Sequence, residues 1–350
     1  MVSCPNIQVE LNQFYQTCDA SMLREPMPFF DFLWSDINTS GIQQIVTPSG
    51  GKIKTINLRY DKRLLESEVD EVSNCATTCV STTKRNDYST TIEIDPCDKL
   101  QISESMTAIE WAYACQSNEQ IVAKKIQMMV DAVVRKMATR LTTQAATLLG
   151  NWDSSVTNVD GDGNLCVTLM NGTALNPFAM ADIDLAMMQT NFCSTTAIFA
   201  GVDVYKYYRA LNAGCCSSQG IDLASISAQY GKAVLYDKRV QTASGSATYA
   251  WVLQAGSLLP IYYTENNSSI MNGAGIAIGD SNVQLGANYY KTVIQDPQSG
   301  LPMDLTIADN CGVISIIIEA NAKLYSLPQL FQAGDTMEGV SFFAGINSDC

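Results

Sequence analysis

The stretch Glu119–Leu149 constrains the fold of this chain more than any other. Its apolar residues fall at Ile126, Met129, Val130, Val133, Val134, Met137 and Leu141, which is the i, i+3, i+4, i+7 spacing of one buried helical face. Lys124, Lys125, Arg135, Lys136 and Arg140 take the other side. No Pro or Gly interrupts the pattern before Gly150, so it predicts one continuous helix that stops at that glycine. At 1.5 Å per residue such a helix runs roughly 45 Å, where the helices of globular proteins average about a dozen residues. It is either a long core helix of the ordinary kind or a rigid spine to which flatter, β-rich parts attach.

The composition bears on that choice. Charged residues make up only 16% of the 350, against roughly a quarter in a typical soluble domain. A chain with so little charge either has surface to bury against other chains or is a low-charge monomer. Its balance is acidic, 21 Lys+Arg against 35 Asp+Glu for a net −14, which argues against tight, general nucleic-acid binding. A local basic face could still hold nucleic acid loosely. Histidine is absent, which removes the usual general base, the usual neutral metal ligand and the Ser-His and Cys-His dyads. The 12 cysteines are scattered without a CxxC pair, so they are read as reduced, small apolar residues, with disulfides as the alternative in oxidising surroundings. No metal or cofactor is expected. The first residues lack the basic and apolar regions of a secretory signal, and no run of about 18 apolar residues marks a membrane span.

Along the chain, Met1–Phe32 reads as an arm broken by Pro5, Pro26 and Pro28, ending in the apolar cluster MPFFDFLW. This arm either crosses a neighbouring subunit or covers its own core. Lys52–Tyr60 and Tyr88–Ile94 alternate as two strands joined by the long polar excursion Asp61–Asn86, a protruding two-stranded hairpin. Such a hairpin is marginal alone and needs support, from a partner subunit or from its own domain. In VDGDGNLCVTL, Asp160, Asp162 and Asn164 imitate half a calcium loop, but Leu165 stands where its glycine belongs, so a tight turn is expected. Asn176–Leu211 gives a helical pattern, a buried strand at Ala197–Ala200 and a helix carrying Val204, Tyr207, Tyr208 and Leu211. Ala233–Gln241 and Thr248–Gln254 read as a hairpin turning at Ser244–Gly245. GAGIAIGD (Gly273–Asp280) has the wrong glycine spacing for a dinucleotide fingerprint. Val313–Ile318 is fully apolar and reads as a buried strand.

Neither a paired-carboxylate motif nor GxSxG, a P-loop or HExxH occurs, so catalysis is not expected. The order of parts resembles the major capsid proteins of tailed bacteriophages, the HK97-like fold. AIFAGVDVYKYYRAL (Ala197–Leu211), NYYKTVIQDPQSGLPMDLTI (Asn288–Ile307) and IIIEANAKLYSLPQLF (Ile316–Phe331) carry that resemblance. It implies an α+β chain with an N-terminal arm (1–41), an extended E-loop (42–97), a P domain with the spine helix (98–175), an A domain (176–312) and a return to the P domain (313–350). It implies a structural subunit forming hexamers and pentamers of an icosahedral shell around double-stranded DNA, made in the host bacterial cytoplasm and found in the virion. Partners would be other copies of itself, portal and scaffolding proteins, decoration proteins and loosely held DNA, with no membrane. Since the chain opens almost directly on the arm, the scaffold is expected to be a separate protein or a segment cleaved away. Candidate inter-subunit contacts are Phe29, Phe30, Trp34, Arg59, Tyr60 and Tyr88, and candidate inward-facing basic residues are Lys124, Lys125, Arg135, Lys136 and Arg140. The alternatives are an encapsulin-like compartment around a cargo enzyme and an α+β enzyme or binding protein.

Overall fold

The computed structural model describes residues 24–35, 38, 44–47, 54–61, 87–95, 97–107, 118–192, 196–215, 233–264, 283–284, 289–310, 313–326 and 341–350. The architecture is α+β. Helix α1 (Pro28–Trp34) precedes strands β1 (Gln44–Thr47), β2 (Lys54–Asp61), β3 (Asp87–Ile94) and β4 (Leu100–Thr107), and the long helix α2 spans Asn118–Ala146. Short strands β5 (Leu165–Cys166), β6 (Met170–Asn171) and β7 (Ala174–Leu175) lead to α3 (Ala179–Gln189), β8 (Thr196–Ala200) and α4 (Val202–Cys215). Then come β9 (Ala233–Tyr236), α5 (Lys238–Ser244), β10 (Tyr249–Gln254), β11 (Leu258–Tyr263), β12 (Val283–Gln284), β13 (Tyr289–Gln295), β14 (Pro302–Asn310), β15 (Val313–Ser326) and β16 (Phe343–Asn347).

Helix α2 forms where the apolar spacing requires it, and every residue of the expected face, from Ile126 to Leu141, is buried. It ends at Ala146, before Gly150. That glycine serves packing instead, because a Cβ there would lie 2.1 Å from Ser341 Cβ. The helix lies along β15. Lys125 reaches Glu104, which stands opposite Ile316 in the β4–β15 register, and nineteen positions later the Gln144 amide meets Leu324. Nineteen helical residues rise about 28 Å and eight strand residues about 26 Å, so helix and strand run side by side and in the same direction. Ile314, Ile316, Ile318, Ala320, Ala322 and Leu324 alternate inward along β15 and share one core with Val130 and Val133. Its other face is only half covered, with Val313 exposed and Ile317 intermediate, so the expected fully buried strand is buried on one side.

Two large sheets divide the rest. One has the order β11-β15-β14-β13-β12, with β4 on the free side of β15. The other has the order β5-β16-β10-β8-β9. The second is covered on both faces: Phe199, Trp251, Leu253 and Phe343 point into the core of α1 and α2, whereas Ile198, Val252 and Ile346 point into a second core beneath α3 and α4. That two-sided cover makes β8 buried at every position. Gly201 lets β8 turn into α4, since a Cβ there would meet Ala247 O at 2.5 Å.

Three expectations change. The hairpin of β2 and β3 gains a third strand, β1, in the order β1-β2-β3. No hairpin joins 233–241 to 248–254: β9 and β10 flank β8 on opposite sides, and the residues between them form α5. Asp237 causes this by capping that helix, with Oδ1 accepting from Arg239 N at 2.8 Å and Val240 N at 3.4 Å. The span 176–312 is shared between the two sheets, and β16 rejoins the five-stranded one rather than that of β15. Residues 62–86, 265–282 and 327–340, including the hairpin excursion and the glycine run, lie outside the described residues.

Candidate inter-subunit surfaces

The arm does not present its aromatic cluster outward. Phe29 and Phe30 are fully buried in the chain's own core. Phe29 packs edge-on against Phe199 at 5.2 Å and Trp251 at 5.3 Å, and lies near-parallel to Phe343 at 6.3 Å. Trp34 is partly buried beside Tyr262, ring centroids 5.8 Å apart. The expected role of Phe29 and Phe30 as contacts to a neighbour is therefore corrected: three aromatic residues of the five-stranded sheet form a socket around Phe29, and Phe30 packs toward Trp34 within the same core. The Phe29 N–H donates to Asp237 Oδ2 at 2.9 Å, so one carboxylate fixes both α1 and the start of α5.

A charged node that the sequence did not announce ties the arm down just before α1. Arg24 forks onto Asp296, with both contacts 2.8 Å, and its Nε donates to Asp131 Oδ1 at 2.8 Å. Its side chain is 3% exposed and that of Asp296 is fully buried. Burial disfavours the charge on Asp296, but the Arg24 guanidinium and the Ser299 donors outweigh it and hold the carboxyl below its ordinary range. Asp31 stands over the same node with its side chain reaching solvent. Desolvation pushes its carboxyl up to about 6; Arg24 opposes the shift, and the Asp296 and Asp237 carboxylates add to it. The only hints in the sequence were an Arg two residues before Pro26 and the turn-forming run DPQSG.

Of the hairpin candidates, Arg59 stands opposite Ser89 and Tyr60 opposite Tyr88 in the β2–β3 register. Among the described residues, β1, β2 and β3 pair with no strand of either large sheet. At its base, Thr91, Ile92 and Glu93 line a cleft with Ile261, Lys323, Leu324 and Tyr325, where it abuts the six-stranded sheet.

The five basic residues of α2 are unequal. Lys125 pairs with Glu104 at 2.6 Å, Arg135 with Asp131 at 2.8 Å, and Arg140 with Asp98. Those carboxylates neutralise much of the basic face. Lys124 and Lys136 take no ion pair among the described residues. The calcium-like loop is a turn: Asp160 Oδ1 accepts from Asp162 N at 3.0 Å and Asn164 N at 2.9 Å, and Oδ2 from Asn347 Nδ2 at 3.2 Å. Those donors occupy the lone pairs that a cation would use, and they hold the Asp160 carboxyl below its usual range against the opposing effect of burial. Cys166 and Cys350 are joined in a disulfide, which corrects the reading of all the cysteines as reduced.

No family model and no curated protein matches this chain. Solved structures similar to it include the capsid of Ralstonia phage GP4, with a TM-score of 0.46 at 9% identity over 86% of this chain and 85% of that one. The capsid of Myoviridae phage XM1 gives 0.43 at 9% identity over 96% and 97%. The holo-SrpI encapsulin complex from Synechococcus elongatus PCC 7942 gives 0.38 at 10% identity over 86% and 84%.

Proposed function

We propose that this chain is a structural subunit of a closed icosahedral shell of the HK97-like type, built of hexamers and pentamers around a double-stranded DNA genome. The observation that carries the reading is the hairpin sheet β1-β2-β3, which pairs with no strand of either large sheet among the described residues and is followed, after β4, by a helix laid along the longest strand. A sheet of this size gains stability by lying on other protein, and in a shell a neighbouring copy supplies it. The low charge of the chain fits extensive contact between copies. Many modest contacts, each chain giving and receiving the same set, add up to a stable particle. The function is assembly, not catalysis. Scaffolding, portal and decoration proteins are its expected partners, and Lys124 and Lys136 are the residues of α2 best placed to meet DNA loosely.

Size-exclusion chromatography with negative-stain microscopy, with and without co-expressed scaffold, tests this. Closed particles are expected; a small oligomer under every condition would refute the reading. Deleting Asp61–Asn86 is expected to abolish particles while leaving a cooperatively folding subunit. Enclosed DNA marks a virion, and a cargo enzyme in its place would make the particle an encapsulin-like compartment.

A further inference from the structure

Helix α3 buries Ile183, Ala186 and Met187 and turns a second apolar stripe outward. Phe178 is 67% exposed, Leu185 56% and Met188 70%, and exposed Ala181 completes the 178, 181, 185, 188 spacing of a single helical face. In the β6–β7 hairpin just before it, Met170 and Leu175 are paired across the strands and both exposed. An apolar face of this extent on a low-charge chain marks a binding surface.

Charge chooses its occupant. Asp182 and Asp184 lie about 80° to either side of the stripe on the helical wheel. Two α3 stripes meeting about a two-fold axis would bring acid against acid. The neighbouring helix α4 offers the complement. Its outer face carries exposed Lys206 and Arg209 with one exposed acid, Asp203, and half-buried Tyr205 packs on Tyr236 of β9 at 5.9 Å. Beside it, Leu235 and Tyr236 are partly exposed on β9, the edge strand of the five-stranded sheet. The two patches therefore differ, and each matches the other in polarity and charge. Helix α3 leans toward β16, through Thr190 to Asp153 and Trp152 to Gly345, whereas α4 covers the β9 edge.

We infer that the α3 stripe of one copy docks head to tail on the α4–β9 edge of the next, with Asp182 facing the Lys206–Arg209 pair. Contact between unlike patches closes into a ring when the rotation per copy permits. This inference rests on the shell reading and names the contact within it.

The experiment uses the full chain, followed by sedimentation velocity and negative-stain microscopy. Asp182→Lys and the pair Lys206→Glu with Arg209→Glu are each expected to weaken self-association at least tenfold. Melting curves should match the parent, because all three side chains are exposed. The three changes combined in one chain are expected to restore rings. Leu185→Gln, which leaves the charges alone, is expected to weaken association as well. Variants that assemble like the parent would overturn this contact and leave the shell reading standing, and failure of the combined variant to recover would overturn α4 as the receiving face. A parent chain that never associates would overturn both.

Discussion

Arg24 is worth more to this molecule than its exposed neighbours. Its guanidinium is almost out of water and held by two carboxylates from distant parts of the chain. Removing one member of a buried pair leaves the other charged and unsolvated, so Arg24→Ala is expected to cost about 3–5 kcal/mol in urea denaturation. Arg24→Lys should recover only part of this, because an ammonium cannot fork onto both oxygens of Asp296. The two perturbed carboxylates here act oppositely with pH. Asp296 is held below its unfolded value, so its contribution is complete above about pH 4 and is lost as the pH falls through its folded value. Asp31 keeps its proton in the folded chain up to about 6, so its contribution declines as the pH rises from the ordinary carboxylate range to that value. Asp31→Asn is accordingly expected to raise the melting temperature near neutral pH, with the gain vanishing below about pH 4. Because its side chain meets water, screening keeps the change small.

At the level of elements, the seam between α2 and β15 rests on apolar alternation and on one polar clasp. Gln144 Nε2 donates to Leu324 O at 3.0 Å, and Leu324 N donates to Gln144 Oε1 at 3.1 Å. An amide side chain thus takes the place of a strand neighbour. Leu324 stands opposite Pro260, which has no N–H to offer. Gln144→Leu is expected to cost about 1–3 kcal/mol by leaving that backbone N–H and C=O unmade, read as a lower unfolding free energy. Helix α2 was legible in the sequence because seven apolar residues at one period overdetermine it. Strands β2, β3 and β8 were legible through alternation or continuous burial. Helix α5 was not: seven residues are too few for a periodic pattern to declare itself, and its decisive signal is a single capping side chain, Asp237. The Phe29 socket was hidden for another reason. MPFFDFLW says that something will be covered, and only the positions of Phe199, Trp251 and Phe343 decide what covers it.

Across the whole molecule, the two large sheets draw their strands alternately from the chain. Residues 100–107, 258–263, 283–284, 289–295, 302–310 and 313–326 supply one, and residues 165–166, 196–200, 233–236, 249–254 and 343–347 supply the other. A period of two reveals which face of a strand is apolar but not which strand it will pair with, so this interleaving was beyond the reach of pattern. The Cys166–Cys350 bond spans 184 residues and ties β5 to the segment after β16. Cys166→Ser is expected to lower the unfolding free energy by about 2–4 kcal/mol in oxidising buffer, and a reductant should make variant and parent equal. The central place of β16 has a consequence for the order of events during synthesis. It lies between β10 and β5, so β5 has no partner in its sheet until residues 343–347 have emerged. A ribosome-bound chain stopped short of them can join β10, β8 and β9, but the core beneath α3 and α4 stays open. The five-stranded sheet, and the core it closes, are therefore complete only after β16 is made.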